Sequence, residues 1–181
     1  MPRIIALSGS LRKASFNTAL LRAAAERFPE AIFPASIEGI PLYNADLESS
    51  QGIPGAVAEL KNLIIPADGL LIATPEYNNS VPGVLKNAID WLSRPTEDIP
   101  KVFGRKPVAI IGASPGGFGT VSAQSAWLPV FRTLRAKPFW GERLMVSRAG
   151  GTVNEAGDIS DETTLRRLEE FVGGFIEFCS D

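Results

Sequence analysis

Histidine is absent from this chain of 181 residues, and cysteine occurs once, as Cys179. The missing histidine excludes a Ser-His-Asp triad, a Cys-His pair and any histidine-bound zinc or iron site. A single cysteine excludes an internal disulfide framework and a cysteine-bound iron–sulfur cluster. Because Cys179 lies in an apolar C-terminal segment, its thiol is predicted to pack rather than react. We therefore expect no metal site, and chemistry that depends on a bound cofactor or on carboxylate, lysine, tyrosine or serine side chains.

The chain also lacks a strong charge imbalance and long apolar segments. Its formal net charge is −2, and its 45% hydrophobic and 21% charged content are those of an ordinary globular protein. A charge so close to neutral predicts no nucleic-acid partner and no anionic membrane surface. No apolar run approaches the length of a membrane span or of a signal-peptide core. We expect one cytoplasmic domain over residues 1–181, without membrane insertion.

A polar loop near the start of the chain lies between a predicted strand at 3–7 and a predicted helix at 17–28. Its potential hydrogen-bond donors are Ser10, Arg12, Ser15, Asn17 and Thr18. A strand, a polar loop and a helix N-terminus in this order bring backbone N–H groups and the positive end of a helix dipole to one point. One such residue is enough to cap the helix. Because there are several, the loop predicts a phosphate site rather than a helix cap alone.

The type of phosphate ligand follows from what this loop does not contain. After Gly9 the chain has Leu11 and Arg12 where a dinucleotide-binding loop needs further glycines. Glu38, near the end of the predicted second strand, is therefore interpreted as a surface acid rather than a ribose ligand. Lys13 is not preceded by the glycine of a P-loop. A loop rich in hydroxyl groups fits the single terminal phosphate of a mononucleotide such as FMN.

Predicted strands and helices alternate along the whole chain. The strands are expected at 3–7, 31–36, 69–73, 108–111 and a fifth within 144–146 or 137–139. The helices are expected at 17–28, 54–65, 82–92, 121–134 and 161–178, the last capped by Asp161, with a loop over 37–52. This alternation predicts an α/β fold, a three-layer, doubly wound sandwich with a five-stranded parallel sheet.

Three loops with unusual composition follow predicted strands one, three and four, at 8–17, 74–82 and 113–120. Ligands of such sheets bind beyond the carboxyl ends of the strands. In the second loop, Tyr77 offers a flat surface for a planar ring, although an ordinary turn with a surface tyrosine is the alternative. The third loop is rich in glycine, which permits close backbone approach to a ligand. The three loops together predict a site for a planar, phosphorylated molecule.

Three stretches of the chain, 9–17, 74–93 and 114–119, resemble the NAD(P)H-dependent FMN reductase family, and most of all its bacterial quinone and chromate reductase branch. The resemblance implies a flavodoxin-like fold with strand order 2-1-3-4-5. It implies FMN as cofactor, NADH or NADPH as electron donor, and a homodimer or tetramer. It also implies no catalytic side chain, because FMN carries the chemistry.

The resemblance assigns the site residue by residue. The residues implied to hold the FMN phosphate are Ser10, Arg12, Ser15, Phe16 and Asn17. Those implied to line the isoalloxazine ring are Pro75, Glu76, Tyr77 and Asn78, and those implied to close its other edge are Ser114, Gly116 and Gly117. Lys86 and Asp90 follow the second loop at a spacing of four residues, which favours a surface ion pair over a catalytic pair.

The expected activity is a ping-pong reaction in which NAD(P)H reduces FMN and then leaves. A quinone, a flavin or a similar acceptor, chromate and azo compounds included, then takes the same place. The alternative is a flavodoxin-like electron carrier without nicotinamide-dependent turnover. Such carriers are strongly acidic, whereas this chain has a net charge of only −2.

A homodimer is also expected because the predicted helices at 82–92 and 121–134 carry more apolar side chains than one helix face can bury. The candidates are Val84, Leu85, Ile89, Trp91, Leu92, Trp127, Leu128 and Phe131. The segment 93–106 is expected to be a mobile loop near that interface. Relatives in the resembled branch use an Arg and a Tyr to join dimers into tetramers. This chain has Ser122 and Ser125 there, which argues against tetramers formed by that route.

Overall fold

A computed structural model describes all of residues 1–181. They form one sheet, whose strands all pair in parallel, together with the helices and loops around it. The strands are β1 Ile4–Ser8, β2 Ile32–Ala35, β3 Gly69–Ala73, β4 Pro107–Ala113, β5 Lys137–Pro138 and β6 Leu144–Val146. Their order is β2-β1-β3-β4-β5, and β6 also pairs with β4. The predicted doubly wound α/β fold and its 2-1-3-4-5 order are confirmed.

Seven helices connect and cover these strands. They are α1 Phe16–Arg27, α2 Ala45–Gln51, α3 Gly55–Ile64, α4 Gly83–Leu92, α5 Ile99–Val102, α6 Val121–Thr133 and α7 Glu162–Ser180. Helix α6 continues through Pro129, whose ring lies on the exposed side. No helix combines the length and the apolar character that crossing a membrane requires.

The apolar run of β1 explains why helices cover both faces of the sheet. Ile4 and Ala6 belong to one buried cluster, with side chains of α1 and α7, whereas Ile5 and Leu7 belong to a second, with side chains of α3 and α4. Successive side chains of a strand point to opposite faces, so a continuous apolar run is stable only where both faces are covered. The result is two buried clusters separated by the sheet.

The edge of the sheet beyond β4 is divided between two short strands. Val108 pairs with Pro138 of β5, and Ile111 pairs with Leu144 of β6. Residues 139–143 lie between the two strands without joining the sheet. Both segments proposed for the fifth strand are therefore extended.

The expected loop over 37–52 contains helix α2, so that prediction was wrong in part. Asn44 caps this helix by accepting a hydrogen bond from the Asp46 N–H at 2.8 Å. None of the seven helical residues is buried. The helix therefore lacks the apolar periodicity by which a helix can be predicted from sequence.

The segment 93–106 was expected to be a mobile loop, but it folds into a 3₁₀ turn and helix α5. Val102 and Phe103 are fully buried in the cluster formed with α3 and α4. Asp98 accepts hydrogen bonds from Lys101 and Lys61, both at 2.8 Å, and these ammonium groups hold the pKa of its carboxyl below the ordinary value. Apolar burial and charge pairing thus anchor a segment whose prolines suggested a loop.

Most of the apolar side chains predicted to form a dimer interface are buried within a single chain, while the dimer itself stays a prediction. The candidates buried within a single chain are Leu85, Ile89, Trp91, Leu92, Trp127 and Phe131. Only Val84 and Leu128 are exposed, at 39% and 38%. Helix α4 packs against α3 and the 93–106 segment as well as the sheet, so it buries more than one face.

Cys179 behaves as its surroundings in α7 predict. Its side chain is partly buried beside the apolar cluster of α1 and α7. Burial raises the pKa of its thiol to about 12, so the sulfur stays protonated at neutral pH. This confirms a packing role.

Candidate cofactor site

The carboxyl ends of β1, β3 and β4 open into a cavity of about 240 Å³. Parallel pairing places these ends together, since Ser8 of β1 pairs with Ala73 of β3, and Ala73 pairs with Ile111 of β4. The cavity is lined by Ser10, Arg12, Ser15, Phe16, Asn17, Pro75, Glu76, Tyr77, Ala113, Ser114 and Pro115. The three loops named from the sequence therefore meet at one site. Of the site residues named there, Asn78, Gly116 and Gly117 lie outside the lining.

The N-terminus of α1 presents unpaired backbone donors to this cavity. Ser15 is the N-cap, and its Oγ accepts a hydrogen bond from the Thr18 N–H at 3.2 Å. The backbone N–H groups of Ser15, Phe16 and Asn17 donate to no other group of the chain. Together with the positive end of the helix dipole, these three donors form a favourable position for an anion.

Arg12 adds a positive charge that no carboxylate neutralises. It takes part in none of the ion pairs of the structure. Its guanidinium carbon lies 4.9 Å from the centre of the Phe16 ring, a cation–π contact that keeps the charge beside the helix N-terminus. The guanidinium is therefore available for a charge-assisted hydrogen bond to a phosphate.

Both polar atoms of the Asn17 side chain are hydrogen-bonded within the protein. Its Nδ2 donates to the Ala113 carbonyl at 2.9 Å, and its Oδ1 accepts from the Ala113 N–H at 2.9 Å. These two hydrogen bonds tie the first turn of α1 to the end of β4, and Asn17 itself is only 3% exposed. Asn17 therefore offers a phosphate its backbone N–H rather than its amide. No sequence spacing could have indicated a partner 96 residues away.

The second loop is a tight hairpin at the rim of the cavity. Tyr77 and Ser80 exchange two backbone hydrogen bonds, of 3.2 and 3.0 Å. Asn78 and Asn79 between them have φ angles of 51° and 56°, and positive φ at both central positions defines a type I′ turn. Asparagine tolerates this conformation better than most residues. The turn leaves the Tyr77 side chain 48% exposed at the mouth of the cavity.

Glu76, in the same loop, reaches across to helix α6. Its Oε2 accepts hydrogen bonds from the backbone N–H groups of Ser122 at 2.8 Å and Ala123 at 3.0 Å. The carboxylate is thus directed to the N-terminus of α6, while the residue still lines the cavity. No pattern in the sequence indicates this contact.

Two glycines are required where the loops approach each other. A Cβ atom at Gly9 would lie 2.8 Å from Pro75 Cδ, so any other residue would separate the first loop from the second. A Cβ atom at Gly112 would lie 2.4 Å from the Thr74 carbonyl oxygen. The cavity therefore depends on glycine at the ends of β1 and β4.

The third loop is supported by a segment that the sequence did not indicate. The Ser114 N–H donates to the Val146 carbonyl, and the Ser114 carbonyl accepts from the Ala149 N–H, each at 3.0 Å. Arg148 donates its N–H to the Gly116 carbonyl at 2.9 Å. The loop is thus held along β6 and the turn after it. Gly117 has an N–H that is paired with no other group.

Three polar residues outside the cavity behave as the sequence predicted. Lys86 and Asp90 form an ion pair at 2.7 Å on the partly exposed side of α4. Glu38 is exposed and lines no part of the cavity.

Comparison with known proteins identifies relatives along nearly the whole chain. The profile of a family described as NADPH-dependent FMN reductase matches residues 2–151. An NAD(P)H-dependent FMN reductase of Pseudomonas aeruginosa is 42% identical over 170 residues, covering 93% of this chain and 90% of that protein. An NADPH:quinone oxidoreductase of Arabidopsis thaliana is 49% identical over 177 residues, covering 93% and 87%. Among solved structures, FerB, an NAD(P)H:(acceptor) oxidoreductase of Paracoccus denitrificans, matches with a TM-score of 0.87 at 31% identity, covering 99% and 98%.

Replacement of Asn17 should destabilise the protein even without cofactor. Asn17→Ala removes both partners of the buried Ala113 peptide groups, and a buried group left unpaired costs roughly 1–3 kcal/mol. We expect the free energy of unfolding of the apoprotein, measured in urea, to fall by about 2–4 kcal/mol. Asn62→Ala, at an exposed position of α3, is the control and should change it by less than about 0.5 kcal/mol. Equal stability of the two variants would contradict the architectural role of Asn17.

Proposed function

Because the chain belongs to the NADPH-dependent FMN reductase family, we propose that it passes electrons from NAD(P)H to quinones and similar acceptors, with FMN held by the three loops. The family uses FMN as cofactor and NAD(P)H as electron donor. Relatives named as quinone reductases support the acceptor class, among them a 2-hydroxy-1,4-benzoquinone reductase of a Burkholderia species, 39% identical over 99% of this chain. The observation that carries the proposal is the cluster of free N–H donors and unpaired Arg12 at the carboxyl ends of the strands.

The residues of the cavity fit FMN. At the end formed by α1, three free N–H groups, the Ser10 and Ser15 hydroxyls and Arg12 suit a phosphate dianion. The Glu76 carboxylate, the acid of the lining, is directed to α6 and away from that end. The half-exposed Tyr77 side chain suits one edge of a planar ring. We propose that residues 1–181 act together as one FMN-binding domain.

The chemistry would follow from position and electrostatics. FMN held by the three loops would supply the redox chemistry that couples a hydride donor to an electron acceptor. The N-terminus of α1 and Arg12 would fix the phosphate, and the third loop would close the other side of the cavity at Ser114. The exposed rim at Tyr77 would leave space for a second planar molecule to enter from solvent. No side chain of the cavity is placed as a general acid or base, so orientation carries the proposed mechanism.

We further propose that the protein is a cytoplasmic homodimer. A fold that needs no disulfide, with one free cysteine, is compatible with a reducing compartment. Exposed apolar side chains lie on and near the outer side of α6, and a second copy would cover them. They are Phe118 at 85%, Trp140 at 71%, Val121 at 40% and Leu128 at 38% exposure.

The activity is tested by steady-state oxidation of NADH and of NADPH by FMN-loaded protein with 1,4-benzoquinone. We expect saturable turnover, with parallel lines in double-reciprocal plots, because donor and acceptor use one site in turn. Free FMN, an azo dye and chromate complete the acceptor panel, and apoprotein is the control. If quinone and ferricyanide support no FMN-dependent oxidation of either nicotinamide, the protein is an electron carrier instead.

Arg12→Ala should weaken FMN binding. It removes a charge-assisted hydrogen bond of about 1.5–3 kcal/mol, which corresponds to a roughly 10- to 150-fold rise in Kd. Lys13→Ala is the matched control, because Lys13 is an exposed neighbouring cation that does not line the cavity. Its Kd should stay within about threefold of wild type. Titration of apoprotein that gives the same Kd for wild type and Arg12→Ala would refute the assignment of the phosphate loop.

The proposed dimer is tested by sedimentation at micromolar concentration, where the mass should be twice the 19.4 kDa of one chain. Leu128→Ser should shift the protein toward monomer because it places a hydroxyl in the apolar surface on α6. Leu63→Ser is the control, since Leu63 is equally exposed, at 38%, but lies on α3. A wild-type monomer, or equal effects of the two substitutions, would contradict this interface.

A further inference from the structure

We infer that Glu76 is a positioning residue that fixes the second and third loops relative to each other by capping α6, and so sets the walls between which the FMN ring binds. The inference rests on the proposed FMN site, since it assigns a role to one residue of its lining.

Helix α6 has no capping side chain of its own. Its N-cap residue is Thr120, which makes no side-chain capping hydrogen bond. The Thr120 hydroxyl instead accepts a hydrogen bond from Gln124 Nε2 at 3.1 Å. The first N–H groups of a helix need an outside acceptor. For Ser122 and Ala123 that acceptor is Glu76 Oε2, which comes from a loop 46 residues earlier in the chain.

The chemistry of this contact suits a strong attachment. A carboxylate is the most favourable acceptor at a helix N-terminus, because it meets both the unpaired N–H groups and the positive end of the dipole. One oxygen, Oε2, accepts both hydrogen bonds, at 2.8 and 3.0 Å. Two hydrogen bonds to one oxygen hold the carboxylate in one orientation.

A second contact attaches the same loop to α6 farther along the helix. Trp127 donates its indole N–H to Thr74 Oγ1 at 3.1 Å, and both residues are fully buried. Pro75 stands between the two attached residues and contacts Gly9 of the first loop closely. The loop that carries Tyr77 is therefore fixed to α6 at Thr74 and at Glu76.

The position of α6 in the chain makes this attachment relevant to the cofactor. The third loop, with Ser114 and Gly117, runs directly into α6. Glu76 therefore ties the wall that bears Tyr77 to the wall that bears Ser114. A variant without this carboxylate keeps every other residue of both loops but loses the contact between Glu76 and the N-terminus of α6.

The test compares Glu76→Ala with Asp161→Ala, which removes a cap from a different helix. Asp161 Oδ2 accepts hydrogen bonds from the N–H and the hydroxyl of Thr164, both at 2.7 Å, at the start of α7 and outside the cavity. Both substitutions should lower the urea midpoint of the apoprotein. Only Glu76→Ala should also raise the Kd for FMN, by about tenfold, and shift the visible absorption band of the bound flavin.

Two conservative variants of Glu76 separate the effect of side-chain length from the effect of charge. Glu76→Gln keeps an acceptor oxygen at the same distance and should hold the Kd for FMN within about threefold of wild type. Glu76→Asp keeps the charge but is one methylene shorter, so it should weaken FMN binding about tenfold, as alanine does. These two variants carry the test if Glu76→Ala does not fold.

The inference is overturned if Glu76→Ala loses stability as Asp161→Ala does while its Kd for FMN and its flavin spectrum stay those of wild type. Equal FMN affinity of the Gln and Asp variants would overturn it as well. Arg12→Ala shows which claim has failed. If it weakens FMN binding and the Glu76 variants do not, only this inference is wrong; if neither affects binding, the FMN site itself is misassigned.

Discussion

Parallel pairing of β1, β3 and β4 is the constraint on which the candidate site depends. Since these strands run in one direction, their carboxyl ends lie at one edge of the sheet, and so do the N-termini of the helices that follow. Ile4 and Ile5 are buried on opposite faces because the helices that connect parallel strands cover both sides of the sheet. The three loops, of which the first and third lie 96 residues apart at Asn17 and Ala113, therefore converge at one edge, where the contacts of Asn17 and Glu76 hold them in place.

The polar side chains at this edge divide into two groups with different tasks. The side chains of Asn17 and Glu76 form hydrogen bonds within the protein, with Ala113 and with the N-terminus of α6. Arg12 and the backbone N–H groups at the start of α1 remain unpaired. The first group makes the site rigid and the second leaves it receptive to a phosphate. Such a division suits a protein whose cofactor performs the chemistry, because the protein then has only to hold and orient it.

The sequence allowed the fold to be predicted because its signals are local and periodic. The residues that mark an apolar strand, an amphipathic helix or a cap such as Asp161 lie within a few positions of one another in the sequence. Helix α2, which has no fully buried residue, and the burial of Phe103 leave no such periodic pattern in the sequence. The site loops could be named by composition and by resemblance. The partners of Asn17 and Glu76 could not be named, since they lie in a distant strand and a distant helix that only the folded chain brings near.

The central claim is that the three loops hold FMN with its phosphate at the N-terminus of α1. A crystal structure of the protein grown with FMN tests this most directly. The account predicts the phosphate within hydrogen-bond distance of the Ser15, Phe16 and Asn17 N–H groups and of the Arg12 guanidinium, with the ring between Tyr77 and the loop at Gly117. FMN bound elsewhere, for example in the apolar cavity of about 350 Å³ beside Trp140 and α6, would contradict it.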